Sequence, residues 1–565
     1  MAYISRSTLY EYLVVIIIGI LTGISVSLFY IFFEYIWNVT KVIVSIIKYL
    51  ALIIVPLGIL ISYLIVEKIA KVRRTGCGTH GVLEAYFAHN GFIHPNDIVS
   101  KTIASALTMG FGGSAGPEGP SMLIGGGIAS YISRKLNIEI SKLRRFFIAG
   151  SAAGISAVFR APLTGILFAL EIPYRRDIEG EAFIEAVIAS ITAYAIFILI
   201  NGPERIFKVE LTHLYLSPIH LLCIIILGIF SAFIAYIFVK MYHFFRHINN
   251  VLSLRIRGFI IPILGGVIIA LLSLLDIRVL GPGYEIIHTI GYGESLGPLY
   301  IILILLILKM VSTCLTLGFG GSGGLFIPTL VIGAISSEIF IETLNIKPTF
   351  IVTAAGMAAV LAASSKTPLT AIAFVAETCG PMTIIPASIA AIISYILTGN
   401  LSLFELQPPH KLAEEELALD AIYLRVMEVD PMIPRKIKAY QVMNPKPVTL
   451  REDETVEDVL GRVKDYTIRV YPIVDKSWRI KGVVYLEDIL AVEEEQIKMK
   501  LIKLARRAVT AHPYDELRKI MMLMAENEVD HIFIVDEEDK LLGVIAEIDV
   551  VRFLANELYR IWRRK

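Results

Sequence analysis

The sequence predicts an all-α polytopic membrane domain with broken helices, followed by a smaller α+β soluble region. Three observations lead to this prediction: a high apolar content, an internal repeat in the first two thirds of the chain, and a second repeat near its end. Of the 565 residues, 56% are hydrophobic, and the mean hydropathy of +0.70 lies outside the range of soluble proteins. The net charge of +1 gives no indication of nucleic-acid binding.

Long apolar segments begin near the start of the chain. Leu13 to Phe32 and Leu50 to Val66 are nearly uncharged and long enough to span a bilayer. No cleavage site of small residues follows the first segment, so we interpret it as a retained helix rather than a signal peptide. Basic segments between helices, such as Lys68 to Arg74 and Arg134 to Arg145, predict which loops are cytoplasmic. We expect a multi-pass protein of the cell membrane with its C-terminal region in the cytoplasm.

Several later apolar segments are only about a dozen residues long, which is too short to cross a hydrocarbon core of roughly 30 Å as helix. They are Met122 to Ser133, Phe147 to Phe159 and Pro162 to Ile172. Broken segments are tolerated at membrane depth only where they are buried in protein or line a polar pathway. In transporters they often mark the binding site.

The membrane region contains an internal sequence repeat. Residues 107–120 align with residues 315–328 without a gap, at an offset of 208, and nine of the fourteen positions are identical. Further matches keep the same order: Gly76-Cys-Gly78 with Gly281-Pro-Gly283, Pro162-Leu-Thr with Pro368-Leu-Thr, and Glu171 with Glu377. Residues 1–405 are therefore predicted to form two halves, about 10–200 and 215–400, that contribute glycine-rich breaks to a shared centre.

Glu118 lies among glycines at the predicted start of a helix. Pro120 costs no hydrogen bond near a helix start, so the amides from Gly116 to Pro120 should be the unpaired donors of that helix. Such amides, with the positive end of the helix dipole, attract an anion, and an acidic side chain there can compete with it. The alternative is that Glu118 only caps the helix. Its position within the repeat favours the first interpretation.

After Phe404 the composition becomes polar and charged. We predict a linker at 406–438 and two related domains at 439–495 and 496–565, because the second copy repeats the first at an offset of 61. The repeated segments are Tyr471 to Asp475 and Gly482 to Asp488. Each copy is predicted to contain a short strand, a helix, two short apolar strands and another helix. Two such copies can bury a common core that neither would form well alone.

These motifs resemble the ClC family of chloride channels and chloride/proton exchangers, with a C-terminal pair of CBS domains. The family motifs G-S-G-I-P, G-[KR]-E-G-P and G-x-F-x-P correspond to Gly76-Cys-Gly-Thr-His80, Gly116-Pro-Glu-Gly-Pro120 and Gly324-Leu-Phe-Ile-Pro328. The stretch from Gly150 to Glu171 is also very similar to the family pattern. The resemblance implies two inverted repeats, a homodimer with one pore per subunit, and voltage- or pH-sensitive chloride transport.

The resemblance also implies roles for individual residues. Glu118 would be the gating glutamate, whose carboxylate leaves the anion path when it is protonated or displaced. The implied anion-binding residues, which act largely through backbone amides, are Cys77, Gly116, Gly119, Leu325, Phe326 and Phe404. Uncharged donors suit rapid release, since a buried lysine would hold chloride too tightly.

Several positions depart from the family pattern, among them His80 in place of a proline, and three of the departures reduce polar contact with the anion. Cys77 replaces a serine, and a thiol is a weaker donor than a hydroxyl. Pro117 replaces a basic residue, and Phe404 replaces a tyrosine. We therefore expect the site to depend mainly on backbone amides.

Ile172 bears on the choice between channel and exchanger. Exchangers of the family usually carry a glutamate at this position, directly after Glu171, and isoleucine cannot carry a proton. The direct prediction is passive chloride conduction. The alternative is a chloride/proton exchanger whose proton route uses water, Glu171 or His80. The proton-path candidates are Glu118 and Glu171.

The CBS pair of the family often binds adenine nucleotides such as ATP, ADP or AMP. Asp488 and Asp549 match the family aspartate that binds the ribose hydroxyls. Tyr485 and Ala546 replace the serine or threonine that binds the phosphate. The resemblance thus implies a possible nucleotide site at Tyr485, Asp488 and Asp549. A structural or dimer-stabilising role for the pair is the alternative. No cofactor is expected to be required.

Other classes of membrane protein fit the sequence less well. A CBS-regulated divalent-cation transporter would need inward-facing carboxylates, but the apolar segments hold few acids. An intramembrane metalloprotease would need H-E-x-x-H, and the sequence contains no His-Glu dipeptide. No metal site is expected, because the four cysteines form no C-x-x-C pair. We predict that the protein is not an enzyme.

Overall fold

The structure is a computed structural model that divides the chain into two compact units, Met1–Lys411 and Leu412–Lys565. The first unit is almost entirely helical, and the second contains helices and two small sheets. The described residues are 6–138, 140–204, 206–207, 217–344, 349–411, 422–423, 426–427, 430, 432–445, 447–460, 470–492, 496–527 and 529–564.

Sixteen α-helices form the described part of the first unit. Those of the first half are α1 (Arg6–Ile46), α2 (Ala51–Ile69), α3 (Gly78–Ala88), α4 (Pro95–Gly110), α5 (Glu118–Lys135), α6 (Ile140–Phe159), α7 (Pro162–Glu171) and α8 (Phe183–Asn201). Those of the second half are α9 (Pro218–Ser253), α10 (Ile260–Leu275), α11 (Tyr284–Gly291), α12 (Leu299–Gly318), α13 (Phe326–Leu344), α14 (Thr349–Ser365), α15 (Pro368–Cys379) and α16 (Ile384–Leu397).

Six apolar stretches within the described residues are long enough to cross a membrane. They are Leu9–Ile46, Lys48–Ile69, Gly180–Asn201, Pro218–Ser253, Leu299–Gly318 and Phe326–Leu344. The predicted all-α polytopic membrane domain is therefore confirmed. Helices α7 and α15 have only 10 and 12 residues, which agrees with the expectation of broken helices.

Two of the short apolar segments form only part of a longer helix, and neither helix is among the six stretches named above. Met122 to Ser133 lies within α5, which has 18 residues, and Phe147 to Phe159 lies within α6, which has 20. Polar residues extend both helices beyond the apolar run. The first turn of α5 is buried in protein rather than exposed to lipid, so polar groups are tolerated there.

Reciprocal hydrogen bonds join the two halves. The Ser114 amide donates to Thr316 Oγ1 at 3.0 Å, and the Ser322 amide donates to Thr108 Oγ1 at 3.0 Å. Ser114 and Ser322 are equivalent in the repeat, and so are Thr108 and Thr316. Each half thus donates one serine amide to a threonine hydroxyl of the other half. Such reciprocal contacts between equivalent residues are typical of a two-fold symmetric arrangement.

The second unit contains two copies of one motif, as predicted. Its strands are β3 (Leu450–Arg451), β4 (Val470–Val474), β5 (Ile480–Tyr485), β6 (Thr510–Ala511), β7 (His531–Val535) and β8 (Leu541–Ala546). Its helices are α17 (Ile433–Lys436), α18 (Ala439–Val442), α19 (Val456–Leu460), α20 (Leu486–Leu490), α21 (Leu517–Asn527) and α22 (Glu547–Arg564). In each sheet a parallel pair is followed by an antiparallel pair.

The two copies share buried apolar surface. Val470, Val474 and Val483 of the first copy form one cluster with Phe533 and Leu541 of the second. Burial of apolar surface between repeats that are too small to be stable alone explains why the copies occur in tandem.

Candidate functional site

Three glycine-bearing segments converge at one point of the first unit. A short strand β1 (Gly76–Cys77) pairs in parallel with β2 (Ser322–Gly323). The amide of Gly116 donates to the carbonyl oxygen of Gly324 at 2.9 Å, which brings the start of α5 beside the same strand. The meeting of the three motifs, which were separated by up to about 250 residues in the sequence, follows the repeat-based expectation.

Glycine is required where these segments touch. A Cβ atom on Gly78 would meet the carbonyl group of Gly119, and a Cβ atom on Gly119 would meet the carbonyl oxygen of Gly323. The obstacles are backbone atoms, which cannot rotate away as a flexible side chain can. Only residues without a Cβ permit this approach of three backbones.

Glu118 is the first residue of α5 and is fully buried. The backbone amide of Phe326, the first residue of α13, donates to its Oε1 atom at 2.5 Å. Its Oε2 atom has no hydrogen-bond partner among the described residues. A carboxylate from one half thus occupies the helix N-terminus of the other half, where unpaired amides and the helix dipole favour negative charge.

Three of the predicted anion-site residues line one small cavity. Leu325, Phe326 and Phe404 surround a volume of about 10 Å³, with Thr79 beside them. That volume is close to the minimum that holds one water molecule. Phe404 is 3% exposed, and its ring lies 5.2 Å from the ring of His80 between centroids.

Cys77 lines a different and larger cavity of about 270 Å³. Tyr242, Arg246 and Glu405 line the same cavity. Sequence reasoning did not single out Tyr242 and Arg246. The available signal was a polar stretch inside the otherwise apolar α9, where histidine and arginine follow Tyr242 within four residues.

The second proton-path candidate, Glu171, caps a helix of the other half. The amides of Leu369 and Thr370 donate to its two carboxylate oxygens at 3.0 and 2.9 Å, and the Thr370 hydroxyl adds a third bond at 2.7 Å. Its repeat equivalent, Glu377, receives the same three bonds from Leu163 and Thr164. These contacts are capping contacts at the starts of α15 and α7, so a role in proton transfer stays a prediction.

Ile172 is buried and offers no titratable group. Its carbonyl oxygen accepts a hydrogen bond from Gln407 Nε2 at 2.7 Å, and the same amide nitrogen donates to the carbonyl oxygen of Ser365 at 3.1 Å. An uncharged amide side chain therefore binds the backbone at this position.

The predicted nucleotide-site residues of the second unit already have protein partners. The Arg506 guanidinium lies 2.8 Å from both Asp488 carboxylate oxygens and 4.7 Å from the centre of the Tyr485 ring. Asp549 accepts a hydrogen bond from the amide of Ala546 at 3.1 Å. Burial and the nearby Asp530 raise the pKa of Tyr485 above its ordinary value, so its hydroxyl stays protonated at neutral pH.

Family models match both units of the chain. The model described as voltage gated chloride channel matches residues 57–399, and the CBS domain model matches residues 439–495 and 502–556. Uncharacterized protein MJ0305 of Methanocaldococcus jannaschii is 30% identical over 392 residues, which are 69% of this chain and 93% of that protein.

Two relatives with functional names also match. The H(+)/Cl(-) exchange transporter ClcA of Klebsiella pneumoniae is 30% identical over 49% of this chain and 60% of its own length. Chloride channel protein CLC-f of Arabidopsis thaliana is 26% identical over 81% of this chain and 57% of its own length. The chain thus spans less than two thirds of each of these two relatives.

Solved structures agree with the fold. The crystal structure of a CLC-type fluoride/proton antiporter has a TM-score of 0.63 at 21% identity and covers 72% of this chain and 100% of that one. The crystal structure of a eukaryotic CLC transporter has a TM-score of 0.58 at 15% identity and covers 96% of this chain and 98% of that one. At these identities the likeness shows the fold alone.

Proposed function

Because the chain belongs to the voltage-gated chloride channel family, we propose that it conducts chloride through the junction of its two halves, with Glu118 as the gate. The family transports anions across membranes and does not catalyse a chemical reaction. The observation that carries the proposal is the hydrogen bond from the Phe326 amide to the Glu118 carboxylate.

The Glu118 carboxylate acts as a tethered substitute for chloride in this proposal. It occupies an amide that a free anion would otherwise use, and it carries the same charge. Protonation weakens its hold on the amide, because the hydrogen bond then loses its charge assistance. Chloride at high concentration competes for the same donor. Opening therefore responds to pH and to the chloride concentration.

The first candidate is a channel that conducts chloride passively, without coupling to protons. The position that carries a glutamate in exchangers of the family is occupied here by Ile172, and Gln407 donates to its carbonyl oxygen. Neither side chain releases or binds a proton in the physiological range. We also propose that the protein is a homodimer in the cell membrane and that its second unit is cytoplasmic.

The test is chloride efflux from vesicles reconstituted with the purified protein. Glu118→Gln keeps the size of the side chain but removes its charge, so efflux should become largely independent of pH. Glu377→Gln is the matched control, since it changes a carboxylate that also binds helix amides but lies at a cap. If Glu118→Gln and the wild type share the same pH response, Glu118 is only a helix cap.

A chloride/proton exchanger is the second candidate, and the name of the ClcA relative favours it. An exchanger of this sequence would need a proton route that does not include position 172. The reversal potential under combined chloride and pH gradients separates the two forms. A value at the chloride equilibrium potential indicates a channel, whereas a shift toward the proton equilibrium potential indicates exchange.

A further inference from the structure

A groove of about 650 Å³ lies where the last turn of α1 meets the end of α10 and the start of α12. We call it the α1–α12 groove. It shares no lining residue, among those described, with the cavity that contains Cys77. Its walls are largely apolar, and the polar side chains among its lining residues are Ser45, Lys48, Asp276 and Arg278. The groove is built from both halves of the membrane unit.

The surface around the groove changes from aromatic to aliphatic. Tyr49, in the turn between α1 and α2, is 71% exposed, and Tyr300, in the first turn of α12, is 64% exposed. Exposed tyrosines at the ends of membrane helices mark the headgroup level of the bilayer. Farther along the helices the surface continues with the exposed side chains of Leu271, Ile304 and Ile307. A ligand that fits this surface has a polar end at the tyrosines and an apolar end along α10 and α12.

Two cations lie at the polar end of the groove. The side chain of Lys48 is exposed, and its ammonium forms no ion pair or hydrogen bond with the described residues. The guanidinium of Arg278 donates to the carboxylate of Asp276 through Nε and Nη2, and to the carbonyl oxygen of Leu296 through Nη1. An arginine has five N–H groups, and these contacts use three of them. Two cations against one carboxylate leave the groove positively charged.

The positive-inside rule does not account for these cations. Helix α2 separates Lys48 from the basic segment Lys68 to Arg74, which is predicted to be cytoplasmic, and the stretch Lys48–Ile69 is long enough to cross a membrane. Lys48 therefore lies on the opposite side, where that rule gives no preference for positive charge. The phosphate group of a lipid is the anion found at headgroup depth, and lysine and arginine are the side chains that bind phosphate.

We propose that the α1–α12 groove binds an anionic phospholipid, with the phosphate at Lys48 and Arg278 and an acyl chain along the exposed faces of α10 and α12. A zwitterionic lipid would cover the same apolar wall but would bring no net charge to the cations. A free phosphate would pair with the cations but would leave the apolar wall uncovered. The proposal does not depend on chloride transport. Because the groove joins the two halves, the bound lipid should also stabilise their packing.

The first test is a lipid titration of the purified full-length protein in detergent, followed by native mass spectrometry. Dioleoyl phosphatidylglycerol should bind more tightly than dioleoyl phosphatidylcholine, which has the same acyl chains. Lys48→Gln removes one charge at the headgroup level, so phosphatidylglycerol should bind about fivefold more weakly and phosphatidylcholine should bind as before. Lys135→Gln is the matched control, because Lys135 is an exposed lysine beside a tyrosine at the end of α5, outside the groove.

The second test blocks the groove with a large side chain. Ser45 is exposed, and its hydroxyl donates only to the carbonyl oxygen of Val42 in the same helix, so Ser45→Trp changes no contact with another element. The indole would occupy the groove, and this variant should lose the preference for phosphatidylglycerol over phosphatidylcholine. Phosphatidylglycerol should raise the thermal unfolding temperature of the wild type but not that of Ser45→Trp. Unfolding of each variant without lipid shows that it is folded.

Several outcomes would overturn the proposal. Equal binding of the two lipids would show that the cations do not select the ligand, and equal losses in Lys48→Gln and Lys135→Gln would show that charge acts diffusely. Unchanged preference and an unchanged thermal shift in Ser45→Trp would place any bound lipid elsewhere. Glycerol 3-phosphate that displaces phosphatidylglycerol at millimolar concentration would assign the cations to a free phosphate compound instead of a lipid.

Discussion

Two buried carboxylates of the membrane unit bind backbone amides of the opposite half, but they differ in how completely they are satisfied. Glu171 accepts three hydrogen bonds through both of its oxygens. Glu118 accepts one bond from Phe326 through Oε1, and its Oε2 atom has no partner among the described residues. A buried polar atom without a partner is costly, so Glu118 should contribute less to stability than Glu171 does.

The internal repeat also distinguishes Glu171 from Glu118. Glu171 has an equivalent, Glu377, that makes the same three bonds to the other half. The position equivalent to Glu118 is Phe326, which is the donor to Glu118 rather than a second carboxylate. Symmetric contacts hold the two halves together, whereas the carboxylate of Glu118, which has no counterpart at the equivalent position, lies where the glycine segments meet. The contrast supports the proposal that Glu118, unlike Glu171 and Glu377, serves anion transport rather than the junction of the two halves.

The largest expected effect comes from displacing Glu118 without changing it. A Cβ atom on Gly116 would meet the carboxylate group of Glu118. Gly116→Ala should therefore push the carboxylate away from the Phe326 amide. A charge-assisted hydrogen bond contributes about 1.5–3 kcal/mol, so the apparent chloride affinity should rise by roughly 10- to 100-fold. This apparent affinity is measured from chloride efflux at varied chloride concentration.

A matched control and a double variant make this prediction specific. Gly180→Ala adds the same methyl group where no atom lies within 4 Å, so its efflux should equal that of the wild type. In a Glu118→Ala background, Gly116→Ala should have no further effect, because the group it displaces is gone. An unchanged chloride affinity in Gly116→Ala alone would mean that the carboxylate does not compete with chloride.

The second effect concerns stability at the symmetric caps. Glu171→Ala and Glu377→Ala each leave two amides and one hydroxyl without their acceptor, at a cost of roughly 2–3 kcal/mol. The two losses should be similar, because the contacts are equivalent. Glu118→Ala, which frees a single amide, should cost less. Denaturant unfolding in detergent micelles measures the free energy of unfolding of all three variants. A markedly larger loss for Glu118→Ala would contradict the distinction between Glu118 and the two capping glutamates.

Much of this site could be predicted from the sequence, because the repeat itself carries the information. The gapless match between residues 107–120 and 315–328 places Glu118 and Phe326 at equivalent positions, and equivalent helix starts in two halves tend to face a common centre. The two-copy organisation of the second unit was predictable for the same reason. Helix ends were not, because burial of the first turn of α5 depends on contacts with the other half.

Other parts of the site could not be predicted, because they depend on partners that are distant in sequence. His243 and Arg246 contact Glu405 across 159 or more residues, and no repeat relates α9 to that segment. The repeat pairs Glu171 with Glu377, but it does not show that each one caps a helix of the other half. Such contacts follow from the way the halves pack together, which periodicity and spacing do not specify.

The smallest expected effect lies in the second unit, where a carboxylate is again held by an internal partner. Asp488 is paired with Arg506, whose side chain is 61% exposed, whereas the partner of Glu118 is a buried amide. An exposed ion pair contributes less than about 1 kcal/mol. If Asp488 binds ribose hydroxyls, Arg506→Gln should therefore raise the affinity for ATP or AMP by no more than roughly fivefold.

Calorimetry of the full-length protein with ATP and with AMP measures this effect. Asp488→Asn should weaken nucleotide binding in both the wild-type and the Arg506→Gln backgrounds, because it removes the proposed ribose acceptor itself. A loss of affinity in Arg506→Gln would show that the guanidinium binds phosphate, and that the contact with Asp488 is not a competitor. No heat with either nucleotide at millimolar concentration would contradict a nucleotide site at Tyr485, Asp488 and Asp549. The ion pair would then serve only to join β5 and α20 to the segment that carries Arg506, because Arg506 also exchanges backbone hydrogen bonds with Val483.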